Sequence, residues 1–293
     1  MRTTIRKTVA VVDLFRPENV VTPALSIVIG ALLSSAHDWS GLIERLIILA
    51  LLHSAATLYN DIQDMDVDKL NHRQGALHDH TLSLYQSKKV VAVLVVAAII
   101  LAIIRPHAIL QLSLVVMTVA LSLLYDLPRF RFSRRPILSI IILGLCYGAL
   151  PLFSGFIVSG GVLSGSFYAL MALWFLQRGS ISMLKDYKDV VGDKLVGKET
   201  FYLHFGAKVT AWVCVMSSII GYSGVIVWLL FEHKLSSPAL IAICLMAIIG
   251  IIKRTKLLGT TNEKELNRIF HRCLSWQNTF ELGLIVCLVF FSK

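Results

Sequence analysis

Two short acidic stretches hold the residue types best suited to chemistry. The first reads Tyr59-Asn60-Asp61-Ile62-Gln63-Asp64-Met65-Asp66-Val67-Asp68, the second Lys185-Asp186-Tyr187-Lys188-Asp189-Val190-Val191-Gly192-Asp193. Asp61, Asp64 and Asp68 stand at offsets of three and seven, and Asp186, Asp189 and Asp193 repeat those offsets. At about 100° per residue such positions share a stripe roughly 60° wide, so each triad is expected on one helix face, with Asp66 pointing elsewhere. Carboxylates gathered this way repel one another, by about 4 kcal/mol for a pair about 4 Å apart at an effective dielectric near 20. A cation relieves the repulsion. Oxygen donors suit Mg²⁺, which keeps several waters and is usually completed by substrate phosphates. One triad alone could be a solvated acidic loop; the matched pair favours a cation site.

Basic residues accompany the acids: Arg73 after the first triad, and Lys185, Lys188, Lys194 and Lys198 around the second. A site for a bare metal has no use for them. A metal-bound diphosphate does, because Arg and Lys neutralise the phosphate charge that metals leave over. Lys194 and Lys208 read as ordinary loop charges. The segment Tyr125-Asp126-Leu127-Pro128-Arg129-Phe130-Arg131-Phe132 is stiffened by Pro128, which disfavours helix at Leu127. Tyr125 and Arg129 can therefore be aimed at a site, the alternative being an interfacial anchor. Arg178 lies inside an apolar run beside Trp174, Phe175 and Gln177. An intramembrane charge costs at least about 2.5–3.5 kcal/mol and is usually functional or paired. Arg178 is thus a candidate for an anionic head group, with snorkelling to the interface as the alternative. His53, Tyr59 and Tyr147 could line the same cavity, core packing being the plainer role. His78, Asp79 and His80 cluster on a polar loop, where no metal is expected.

The elements that must position these residues are read from composition. Hydrophobic residues make up 56% of the chain and charged residues 16%, against about 25% charged in an average soluble domain. The chain is expected to be an all-α, polytopic membrane protein, its partner the lipid bilayer. Its formal net charge of +10 does not imply nucleic acid, because the basic residues lie between apolar runs, where topology explains them. Apolar runs of about 20 residues predict nine transmembrane helices: roughly 17–35, 41–60, 88–104, 108–125, 136–158, 163–184, 207–231, 237–252 and 276–291. With the N-terminus in the cytoplasm, all Lys and Arg except Arg45, Arg105, Arg178, Lys234 and Lys293 fall on that side. Both triads then open toward the cytoplasm. Their equivalent placement suggests two facing halves, 17–135 and 136–275, with a ninth helix, 276–291, added. The segment before the first span is short and basic, and that span is long enough to remain, so no cleavable leader is expected. The five cysteines show no ligand spacing and read as packing residues.

With the motifs in place, the chain resembles the UbiA superfamily of intramembrane prenyltransferases. Asn60-Asp61-x-x-Asp64-x-x-x-Asp68 is similar to the first signature of that family. Lys185-Asp186-x-x-Asp189-x-x-Gly192-Asp193 is similar to the second, and Gly197-Lys198-x-Thr200 with Gly206 to its sequel. Arg16-Pro17 and the Tyr125/Pro128/Arg129 loop are weaker matches. The resemblance covers essentially the whole chain and implies nine helices around a central cavity, with Mg²⁺ as cofactor. It implies metal binding by Asn60, Asp61, Asp64, Asp68, Asp186, Asp189 and Asp193. Catalytic weight would fall on Asp64, Asp68, Asp189, Asp193 and Lys185. Contacts to an isoprenyl diphosphate would come from Arg73, Tyr125, Arg129, Arg16, Arg178 and Lys188. The implied reaction is transfer of a prenyl group to an aromatic acceptor. The same scaffold could instead use a lipid or sugar-phosphate acceptor, or cyclise the prenyl cation without one. A transporter is disfavoured, because the acids sit at the ends of spans rather than near the midplane. Two departures from the family pattern touch this neighbourhood: Arg73-Gln74-Gly75 where an Arg-Pro with a nearby Gly is common, and Asp126 in place of the Ser of Tyr-Ser-x-Pro.

Overall fold

The computed structural model describes residues 17–34, 38–70, 83–104 and 108–292, and these are helical almost throughout. Arg16, Arg73, His78, Asp79 and His80 lie outside the described residues. In chain order the helices are α1 (Pro17–Leu33), α2 (Trp39–Gln63), the short α3 (Met65–Leu70), α4 (Leu84–Ile104) and α5 (Ala108–Asp126). There follow α6 (Pro136–Gly144), α7 (Leu150–Val158), α8 (Gly165–Ser182), the short α9 (Val190–Leu195), α10 (Phe201–Phe231), α11 (Ser237–Thr255) and α12 (Glu263–Phe290).

The starts of these helices follow from local chemistry. Asp38 accepts from the amides of Ser40 and Gly41, Ser164 from Phe167, Thr200 from Leu203, and Asn262 from Lys264 and Glu265. Each side chain satisfies donors that a helix start leaves open. Pro136 and Pro238 open α6 and α11, where no amide donor is needed. Between α6 and α7 the turn Leu145–Ala149 winds as a π-helix. Pro151 lacks the amide that would close on Tyr147, and the rod widens there instead of breaking.

Helices pack where side chains allow close approach. A Cβ on Gly30 would fall 2.1 Å from the Leu152 carbonyl oxygen, and one on Gly155 2.0 Å from that of Ile27. These two glycines let α1 lie directly on α7, as small residues do between membrane helices. The last helix, α12, packs on both α11 and α1, so the end of the chain returns to its beginning. Facing outward are rows such as Val93, Val96, Ile100 and Ile103 on α4, and Trp212, Met216 and Ile220 on α10. Their spacing of three and four residues makes continuous apolar stripes suited to lipid.

Nine spans were expected from the sequence. Among the described residues, 7 helices are long and apolar enough to cross a membrane. Asn19–Leu33 is a shorter apolar helix. The other exception is α8, whose Gln177, Arg178 and serines dilute its apolar run. Arg254, counted above as a loop charge on the cytoplasmic side, is instead fully buried in the last turn of α11.

Candidate active site

Each acidic motif sits where a long helix gives way to a short one. Asp64 separates α2 from α3, with φ −100° and ψ 13°. Asp189 separates a 3₁₀ turn, Lys185–Lys188, from α9, with φ −111° and ψ 10°. The same position of each motif thus adopts the same sparsely populated bridge conformation, where many active-site residues are found. The expectation that each triad lines one uninterrupted helix face is therefore corrected: α2 breaks at Asp64, and the second triad is divided at Asp189 between the 3₁₀ turn and α9. Helix-like bonds still span the first break, from the Asp64 amide to Asn60 at 2.9 Å and from Asp68 to Asp64 at 2.8 Å. Asp66 is exposed.

The breaks bring the two motifs together, because α3 packs against α9. Asp68, Asp186 and Asp193 are buried. The Asn60 amide nitrogen donates to Asp64 at 3.2 Å and to Asp126 at 2.7 Å. Lys198 Nζ lies 3.2 Å from both oxygens of Asp193. Lys185 Nζ donates to the Tyr125 hydroxyl, and its ammonium also stands over the Tyr125 ring. Arg131 donates to the Gln63 carbonyl at 3.2 Å and approaches Asp64 at 3.8 Å. Arg134 donates to the Val196 carbonyl at 3.4 Å. Burial lowers the Arg134 pKa and Arg131 adds to this, while Asp64 and Asp193 pull the other way. One guanidinium thus feels an acid from each motif.

Electrostatics mark the second motif as crowded. Burial pushes the Asp193 carboxyl up to about 6, with Lys198 opposing and Asp186 reinforcing the shift. Burial also works against the Lys198 ammonium, but Asp186 and Asp193 outweigh it and hold its pKa above the ordinary range. The donor set is entirely hard oxygen, which suits Mg²⁺ rather than a softer metal. Among the described residues no three acid, His or Cys side chains gather closely enough to cage an ion. Mg²⁺ does not ask for such a cage, since it is commonly held by one or two carboxylates plus substrate phosphates. The residues fit that ion.

The other expected site residues divide. Lys185 and Tyr125 meet as described. Arg129, expected to reach the site, is exposed, and Arg131 takes the place beside Asp64. The backbone of Arg131 is left-handed (φ 43°), a conformation rare enough outside glycine to suggest a constraint at a working site. Lys188 belongs to the 3₁₀ turn, and its side chain lies outside the described residues. Arg178, expected to bind an anionic head group, is instead committed within the bundle. It pairs with buried Glu281 of α12 and donates to the Thr22 carbonyl at 3.1 Å. Gln277 donates to Glu281 at 3.0 Å and accepts from Tyr222 and Arg254, each at 2.8 Å. His53 packs edge-on against Tyr147, their ring centroids 5.0 Å apart. Tyr147 packs against an apolar cluster that includes Tyr125 and Cys146, and Tyr125 joins this cluster to Lys185. Arg131, Arg134 and Asp126 were not singled out as ligands from the sequence, although all three lie in or just after the noted Tyr125–Phe132 loop.

Known proteins extend this geometry. The UbiA prenyltransferase family profile matches residues 21–279. Digeranylgeranylglyceryl phosphate synthase of Methanobrevibacter smithii is 20% identical over 284 residues, covering 96% of each chain. A solved structure of a digeranylgeranylglyceryl phosphate synthase has a TM-score of 0.71 at 21% identity, covering 97% of this chain and 99% of that one. A UbiA homologue from Archaeoglobus fulgidus bound to GPP and Mg²⁺ has a TM-score of 0.67 at 16% identity, covering 93% and 98%. Paired acidic breaks on a bundle of apolar helices, matched by that profile over most of their length, make this chain an integral-membrane prenyltransferase of the UbiA family.

Proposed function

We propose that the protein moves an isoprenyl group from an allylic diphosphate to a hydroxyl of a phosphate-bearing lipid alcohol, with Mg²⁺ held by Asn60, Asp61, Asp64 and Asp68 of one motif and Asp186, Asp189 and Asp193 of the other. The observation that carries this reading is the packing of α3 on α9, the short helices that hold the last aspartates of the two motifs. Mg²⁺, when bound, neutralises charge on the departing diphosphate. Lys185, Lys198, Arg131 and Arg134 are placed to take up the rest. The carbon–oxygen bond to diphosphate breaks, the allylic carbon becomes cationic, and the acceptor oxygen bonds to it and loses its proton. The apolar cluster of Tyr125, Cys146 and Tyr147 keeps water from quenching that cation. By the positive-inside argument this end of the bundle faces the cytoplasm.

An aromatic acceptor was expected from the sequence. The relatives shift the reading toward glycerol phosphate, because digeranylgeranylglyceryl phosphate synthases are among those matched over nearly their full length. The test is mass spectrometry of products from membranes given allylic diphosphates and Mg²⁺, with either an isoprenyl glycerol phosphate or a panel of phenolic acids. An ether product supports the reading. A prenylated phenol, or a hydrocarbon formed without any acceptor, replaces it.

A further inference from the structure

The first motif has a helper outside its own sequence. Asp126 ends α5, is 4% exposed, and reaches the motif from a separate helix. Both hydrogens of the Asn60 amide are taken by carboxylates, one by Asp64 at 3.2 Å and one by Asp126 at 2.7 Å. A carboxylate can only accept, so this pair fixes which end of the amide is nitrogen. The amide oxygen is turned the other way, and among the described residues it has no hydrogen-bond donor. A side-chain amide can ligate a hard cation only through that oxygen.

We infer that Asp126 is a positioning residue of the metal site: it takes the Asn60 amide nitrogen at 2.7 Å, against 3.2 Å for Asp64, and so locks the amide with its oxygen presented to the cation. This inference rests on the proposed Mg²⁺–diphosphate reading. It gives meaning to the departure at Asp126, where the family loop carries a hydroxyl that could donate to the amide oxygen as readily as accept from the nitrogen. Partners that orient a ligand typically alter metal affinity 10–100-fold when removed.

The test is Mn²⁺ binding, followed by electron paramagnetic resonance on the detergent-solubilised full chain with inorganic pyrophosphate. Asp126→Leu is expected to weaken Mn²⁺ binding about tenfold or more. Asp126→Asn can still accept from Asn60 and should stay within about threefold of the parent protein, a criterion set well below that tenfold loss. Equal loss in both variants would mean that the charge of Asp126 matters rather than its hold on the amide, and would overturn the inference. Parent-like binding by Asp126→Leu would overturn it too. Should Asp126→Leu not fold, Asp126→Asn alone still decides, since retained affinity supports the inference and lost affinity sinks it. If the parent protein bound no Mn²⁺, the proposed function itself would fall, an outcome distinct from the other two.

Discussion

Two polar regions are buried in this bundle, and they solve the problem of charge differently. Within the bundle, Arg178, Glu281, Gln277, Tyr222 and Arg254 close on one another with hydrogen bonds of 2.8 to 3.0 Å around the Arg178–Glu281 pair. At the acidic end, among the described side chains, Asp61, Asp64, Asp68, Asp126, Asp186, Asp189 and Asp193 stand with Lys185, Lys198, Arg131 and Arg134. The first region pairs its charges within the bundle and links α8 to α12 through Arg178 and Glu281. The second gathers carboxylates from two motifs and from the end of α5, and a bound cation would relieve their mutual repulsion. A buried charge inside a membrane protein therefore does not mark function by itself; like charges gathered from two separate motifs do.

The comparison can be broken most sharply at the middle aspartates. Asp64→Ala or Asp189→Ala should cut diphosphate release by at least about 10²–10³-fold, while metal-free unfolding temperature changes little. Full turnover in either variant would remove that aspartate from the site. In the other region, Arg178→Met or Glu281→Gln should cost about 3–5 kcal/mol of stability by stranding a buried partner. Stabilisation by Mg²⁺ plus pyrophosphate should survive in both. Replacing both residues with apolar ones should recover most of the loss, and thermal unfolding in detergent measures all three. If Arg178→Met instead abolished the pyrophosphate effect while the fold held, Arg178 would belong with the acids after all.

Smaller effects sharpen the contrast. Lys198→Met should lower turnover about tenfold, the size of one lost charged hydrogen bond. It should also destabilise the protein more in EDTA than with Mg²⁺ and pyrophosphate, because a cation can take over the neutralisation of Asp193. Arg131→Ala should raise the KM for the prenyl diphosphate about fivefold, in the range of a partly exposed ion pair. Arg129→Ala should stay within about twofold, since its side chain is exposed. Steady-state kinetics that reversed this order would return Arg129 to the site.

Seven of the nine expected spans were legible because long apolar runs survive in one dimension, whereas α1 is short and the polar residues of α8 dilute its run. The break at Asp64 was not legible, since the same offsets of three and seven fit a continuous helix or one hinged at its middle residue. The exchange of Arg129 for Arg131 depends on a left-handed backbone at a non-glycine residue, which propensity argues against. Arg178 was read as a ligand because its partner Glu281 lies 103 positions away. Arg254 was assigned to a loop because it closes an apolar run beside Lys253, and only its fold reveals Tyr222 and Gln277 around it. Asp126 stood out as a departure, but its hold on Asn60 spans 66 positions and two helices.

That both acidic motifs grip one diphosphate is tested most directly by calorimetric titration of Mg²⁺-pyrophosphate into the parent protein, Asp64→Ala, Asp189→Ala and the double variant. A shared site predicts that each single substitution loses nearly all the affinity, and that the double variant loses little more than either. Independent, additive losses, or pyrophosphate binding that persists at half stoichiometry in each single variant, would contradict it.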